Sequence, residues 1–216
     1  MILLLGLLFF VAVLAVPSYG WVDLSIDSQQ LDIPIIDGIE DLNSNGTGDF
    51  FLVSRLTGEL AFRDGRDGEV IRSLFIPYTT ISGATGGDFD DDGIDDVVLS
   101  VSEDNSSTTN GLAVFSSVSG TELFYWPAEQ GELIISPLEC QTDYDGDEIS
   151  DILAGFFKNG QIYFRKISPE TGLQVGETFG FLDDFLTPGF TVSAHDFNDD
   201  GLRELMVAVM GRIVFL

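Results

Sequence analysis

Four times in this chain a short acidic loop interrupts runs of β-forming residues. Its fullest copy is Gly87–Ser100, Gly-Asp-Phe-Asp-Asp-Asp-Gly-Ile-Asp-Asp-Val-Val-Leu-Ser. Asp88, Asp90, Asp92 and Asp96 stand at positions 1, 3, 5 and 9 of the loop, with Gly93 at position 6. Two carboxylates about 4 Å apart repel by roughly 4 kcal/mol at an effective dielectric near 20. Four in so tight a turn therefore call for a cation among them. Hard oxygen donors suit Ca²⁺, to which side chains, backbone carbonyls and water all contribute, and Ile94 at position 7 offers its carbonyl. An EF-hand needs a Glu at position 12 and flanking helices. Here position 12 is Leu99 and the run from Asp96 to Val101 is β-rich, so the loop joins strands.

The other copies carry the same pattern with changes. The first is Asp41, Asn43, Asn45, Thr47 and Asp49; the third is Asp143, Asp145, Asp147, Ile149 and Asp151; the fourth is Asp196, Asn198, Asp200, Leu202 and Glu204. Position 2 is apolar or aromatic each time (Leu42, Phe89, Tyr144, Phe197), as a residue anchoring the loop to a core should be. First positions at 41, 88, 143 and 196 give a unit recurring every 47 to 55 residues. A period near this length signals a solenoid, propeller or array.

One strand is expected before each loop (Leu31–Ile36, Thr79–Ser82, Leu133–Ser136, Phe190–Ala194) and one directly after it (Phe50–Ser54, Val97–Val101, Ile152–Phe156, Leu205–Val209). A further strand follows in every repeat, and another after a Gly-containing turn in the first three. No helical period appears. The expected fold is all-β: a β-propeller of about four four-stranded blades occupying residues 21–216. The fourth repeat ends after its third strand, and the alternating run Trp21–Ile26 is the candidate to complete it, since closure removes a raw sheet edge. A truncated ring, or an assembly of partial rings, is the alternative.

Met1–Val16 is almost wholly apolar and leads into Pro17-Ser18-Tyr19-Gly20, which reads as a secretory signal over residues 1–20, with a retained anchor as second choice. The expected location is secreted, periplasmic or cell-surface. With 9 basic and 36 acidic residues the formal charge is −27, which argues against nucleic acid and anionic membrane surfaces as partners. Cys140, the only cysteine, leaves no internal disulfide and reads as a small buried hydrophobe. His195, the only histidine, has no accompanying nucleophile motif and reads as structural or solvent-facing.

This pattern resembles the FG-GAP repeat of integrin α-subunit-like proteins, also grouped with the VCBS repeats. The resemblance rests on Ser82-Gly83-Ala84-Thr85-Gly86-Gly87-Asp88-Phe89-Asp90 with its loop and on the three weaker copies. It implies that the loop joins the first two strands of a blade and binds Ca²⁺, and that the opposite face carries ligand contacts. Two departures stand out: Glu148 replaces the position-6 glycine in the third copy, and Asn43 and Asn45 lower the charge of the first.

The leading expectation for function is a non-catalytic exported module for adhesion or ligand capture, holding up to four structural Ca²⁺ ions and binding an extracellular protein or glycan. No nucleophile elbow, zinc-binding His motif or phosphate loop occurs. The rival is a polysaccharide-processing enzyme using Glu103, Asp104, Glu129, Asp183 or Asp184; a third reading is a partial propeller without independent activity. Tyr78, Trp126, Pro127 and Phe185 are the candidate partner contacts, weighed against packing between blades. Asn45-Gly46-Thr47 and Asn105-Ser106-Ser107 are glycosylation sequons, of which only Asn105 suits a sugar because Asn45 is a candidate ligand. Charge count ranks the second loop tightest for Ca²⁺, the third and fourth level behind it, and the first weakest.

Overall fold

The computed structural model describes residues 35–54, 57–102, 110–181, 190–195, 204–209 and 212–215, and these residues contain no helix. They form four antiparallel meanders, each built from consecutive strands. The first sheet runs β1 (Ile35–Ile39), β2 (Asp49–Val53), β3 (Glu59–Arg63) and β4 (Val70–Phe75). The second runs β5 (Thr79–Thr85), β6 (Val97–Ser102), β7 (Asn110–Phe115) and β8 (Glu122–Pro127). The third runs β9 (Leu133–Thr142), β10 (Asp151–Lys158), β11 (Gln161–Ile167) and β12 (Gln174–Phe181). The fourth has β13 (Phe190–His195), β14 (Glu204–Val209) and β15 (Arg212–Phe215). The segments 1–20 and Trp21–Ile26 lie outside the described residues.

Each acidic loop connects the first two strands of its sheet, as expected. All four first strands outrun their expected ends, β5 by three residues to Thr85 and β13 by one to His195. β1 continues through Asp37-Gly38-Ile39, whose turn-like composition is overridden by pairing with Phe51, Phe50 and Asp49 of β2. β9 runs past Ser136 through Pro137 to Thr142 and pairs with β10 across several register shifts. Proline fits there because β9 is the edge strand of its sheet and the ladder is irregular around it.

The sheets stack face to face. β5 lies beside both β1 and β9, and β9 beside β13. Side chains alternate across a strand, and in the second sheet both faces are covered. Val97, Leu99 and Val101 of β6, with Ala113 and Phe115 of β7, pack with Phe51, Val53, Leu60 and Phe62 of the first sheet. Val98, Leu112 and Val114 turn the other way and pack with Ile134, Ile152, Phe156 and Ile167 of the third. All six residues of β6 are buried. Cys140 is buried in this second core. No closed ring is detected among the described residues.

Candidate metal-binding loops

The three described loops follow one backbone course. Position 4 is left-handed in all of them (Ser44 φ 57°, Asp91 φ 58°, Gly146 φ 84°), and so is position 6 (Gly46 φ 88°, Gly93 φ 91°, Glu148 φ 74°). The third loop thus keeps the turn and moves its glycine from position 6 to position 4, leaving Glu148 in a conformation disfavoured for a residue with a Cβ.

A shared set of hydrogen bonds fixes this course. The position-1 carboxylate accepts backbone N–H groups from further round the loop. Asp41 takes those of Asn45 and Gly46 at 2.8 and 2.6 Å, and Asp88 those of Asp92 and Gly93 at 3.0 and 2.7 Å. Asp143 takes three, from Asp145, Gly146 and Glu148, which hold its carboxyl below the usual range, the Gly146 bond most strongly. The position-5 side chain accepts the N–H of position 7 in each loop: Thr47 to Asn45, Ile94 to Asp92, Ile149 to Asp147.

The position-9 aspartate is the brace between the loop and the sheet. One of its oxygens accepts the N–H of position 2: Leu42 to Asp49 at 2.9 Å, Phe89 to Asp96 at 2.8 Å, Tyr144 to Asp151 at 2.6 Å. The other reaches the turn between the third and fourth strands, where Gly65 N–H donates to Asp49 at 3.0 Å and Ser117 N–H to Asp96 at 3.1 Å. The matching residue in the third sheet is Pro169, which has no N–H. Asp151 Oδ1 is accordingly buried without a hydrogen-bond partner.

Carboxylates converge in two loops. Asp88, Asp90 and Asp96 each bring one oxygen within 4.8 Å of the others, and so do Asp143, Asp145 and Asp151. Asp92 and Asp147 stand outside these trios. Burial drives the position-9 acids upward: Asp96 is pushed up to about 7 and Asp151 to about 6, against the opposing pull of their backbone hydrogen bonds. Asp92 is raised by burial and by Asp90 and Asp88. Asp95 is raised by burial, then by Glu40 and Asp88. This donor set is all hard oxygen, negatively charged and, at Asp151, short of one partner. Such a set could hold a hard metal ion.

The first loop differs. Asn43 and Asn45 each donate a side-chain N–H to Asp64 Oδ2, at 2.7 and 2.6 Å, so the carboxylate of a distant turn already sits over the loop. Neither sequence spacing nor loop composition pointed to Asp64. In the fourth loop Asp196, Asn198, Asp200 and Leu202 lie outside the described residues; Glu204 opens β14 and pairs with His195.

Position 2 plays two roles. Leu42 and Phe89 pack against the hydrophobic cores, as expected. Tyr144 has Lys166 Nζ 3.8 Å from its ring centroid, a cation–π contact.

The remaining candidates fall at the other end of the sheets. Glu129 forms ion pairs with Lys158 at 2.8 Å and with Arg165 at 3.7 Å. Beside it the fully buried Glu132 accepts from Arg165, Lys158, Tyr163 Oη and the Glu129 N–H. These donors hold Glu132 low despite its burial. Tyr78 stacks on Tyr125 at 5.5 Å between ring centroids, and Trp126 packs edge-on to Phe156. Both are therefore placed in packing, whereas Pro127 is exposed at the end of β8. Glu103, Asp104, Asn105, Asp183, Asp184 and Phe185 lie outside the described residues.

No protein-family model matches the chain, and no curated protein does. Among solved structures, a crystal structure of BBS1N in complex with ARL6DN, soaked with lead, is similar at 9% identity and a TM-score of 0.42. The match covers 91% of this chain and 67% of that one.

Proposed function

We propose that this chain is a Ca²⁺-stabilised β-propeller of the FG-GAP type, acting as an exported, non-catalytic binding module for an extracellular protein or glycan. The observation that carries the reading is the threefold repetition of one loop at one position in successive sheets, with two copies gathering three carboxylates each. In the second loop Asp88, Asp90 and Asp96 would hold the ion, and in the third Asp143, Asp145 and Asp151. The cation's contribution is charge neutralisation: it removes the repulsion within each trio and lets the buried position-9 carboxylate stay ionised. The loops then fix the first two strands of each blade relative to one another. Trp21–Ile26 is the strand proposed to complete the fourth blade.

Binding is favoured over polysaccharide hydrolysis by what surrounds Glu129, the one proposed catalytic carboxylate among the described residues. Two cations hold it in an ion cluster with Glu132, which leaves it engaged as a structural charge. Calcium titration of the chelator-stripped chain, followed by thermal melting, tests the central claim. A ligand bound by the folded state alone stabilises by mass action, by about 2.7 kcal/mol at a hundredfold excess over Kd. Extracellular calcium modules bind at about 10⁻⁴–10⁻³ M, so the melting temperature should rise in millimolar Ca²⁺. An identical melt in chelator and in calcium would overturn the reading.

A further inference from the structure

We infer that the third loop, not the more acidic second, is the tightest cation site, and that Pro169 makes it so from outside the loop. The inference rests on the calcium reading above and adds what distinguishes one copy from another.

The argument begins with the position-9 aspartate. In the first and second sheets this carboxylate is fully used as a brace, one oxygen on the position-2 N–H and the other on the N–H of Gly65 or Ser117. An ion there must share oxygens whose charge is already partly spent on backbone donors. In the third sheet proline stands where the second donor belongs, so Asp151 Oδ1 is left without a partner while the residue is only 1% exposed. A buried polar atom without a partner carries its full desolvation penalty. The Asp151 carboxyl group also belongs to the trio with Asp143 and Asp145, whose oxygens approach within 4.8 Å. A cation in this loop therefore supplies a contact that the fold omits, and relieves a penalty that the first and second loops do not carry.

The second loop has two acids with no counterpart in the third, Asp91 at position 4 and Asp95 at position 8, and the glycine at position 6. None of these outweighs the open oxygen: Asp91 and Asp95 stand outside the trio, and the left-handed turn forms in both loops. The difference between an engaged and a free carboxylate oxygen is that of one charge-assisted hydrogen bond and corresponds to about tenfold in affinity or more.

The test is calorimetric titration of Ca²⁺ into the chelator-stripped full chain and three variants. Pro169→Ala restores an N–H beside Asp151 and should weaken the tightest site about tenfold while leaving the other sites unchanged. Asp145→Ala should abolish the tightest site, and Asp90→Ala should leave it intact; this pair decides the ranking even if Pro169→Ala fails to fold. Loss of the tightest site in Asp90→Ala overturns the inference while leaving the calcium reading in place, as does an unaltered affinity in a folded Pro169→Ala. No heat and no change in melting with any chain overturns the calcium reading itself.

Discussion

The first and third loops share a backbone course and differ in what their oxygens face. In the first, two asparagine amides turn toward Asp64, and Asp49 is satisfied on both oxygens by backbone donors. In the third, aspartates replace the asparagines, no carboxylate reaches across from the turn, and Asp151 keeps one oxygen open. One loop completes its hydrogen bonding from within the chain; the other leaves one buried carboxylate oxygen without a donor. The same fold element can thus be satisfied fully or in part, and the choice is made partly by residues some twenty positions downstream.

The largest expected effect comes from removing the position-9 brace. In chelator at pH 5, where burial keeps Asp96 and Asp151 largely protonated, Asp96→Ala strands the N–H groups of Phe89 and Ser117 and should cost about 2–4 kcal/mol. Asp151→Ala strands only the Tyr144 N–H and removes a buried oxygen that has no donor, so its cost should be about 1 kcal/mol or less. Chemical denaturation measures both. Equal costs would erase the distinction between a braced and an open loop.

A second effect is the response to pH. The folded-state value of Asp96 is about 7, and that of Asp151 about 6. Both lie above an unfolded carboxylate near 3.9, so the folded protein holds extra protons between these limits. Linkage makes the resulting stability complete below about pH 4 and progressively lost as pH rises through 6 at Asp151 and through 7 at Asp96. Glu132 and Asp143 are displaced downward, so their contributions change only in more acidic solution. The chelated protein should therefore melt at lower temperature at pH 8 than at pH 5, and saturating Ca²⁺ should remove that decline. A melt in chelator that rises over this range would show that burial of these acids does not govern the loops.

The smallest effect concerns the relocated glycine. Glu148 holds φ at 74°, whereas the corresponding Gly46 and Gly93 adopt this region at no steric cost. Glu148→Gly should stabilise the chelated protein by about 0.5–1 kcal/mol, reduced by the entropy that glycine adds to the unfolded chain. A loss of stability would mean that the Glu148 side chain contributes more than its backbone strain removes.

The spacing of the acidic loops made much of this legible. A period near fifty residues with β-forming runs around each loop located the strands in the described residues, and the Gly87–Ser100 pattern located the second carboxylate trio. Strand ends were less legible. Asp37-Gly38 has turn composition and Pro137 cannot donate to a ladder, so the reading stopped before both; cross-strand partners decide those ends. The finer features of the site were hidden for a different reason. That Asp64 closes the first loop and Pro169 opens the third depends on contacts between a loop and the far turn of its own sheet. Those residues are 16 to 21 positions apart along the chain. Charge counting within nine residues has no access to them. The Glu132 cluster was equally invisible, because its partners come from β10 and β11.

The alternation of β6 and β7 between two cores means that the unit which recurs along the chain is not the unit which buries. Each core is assembled half from one repeat and half from the next, with Val97 and Leu99 serving one neighbour and Val98 the other. A single repeat cut from this chain would present two raw apolar faces to water. Gene duplication can copy the strand–loop–strand unit, but a copy becomes a folded body only where its neighbours already carry matching faces. Change at adjacent strand positions is thus judged by different partners, and the second sheet answers to both.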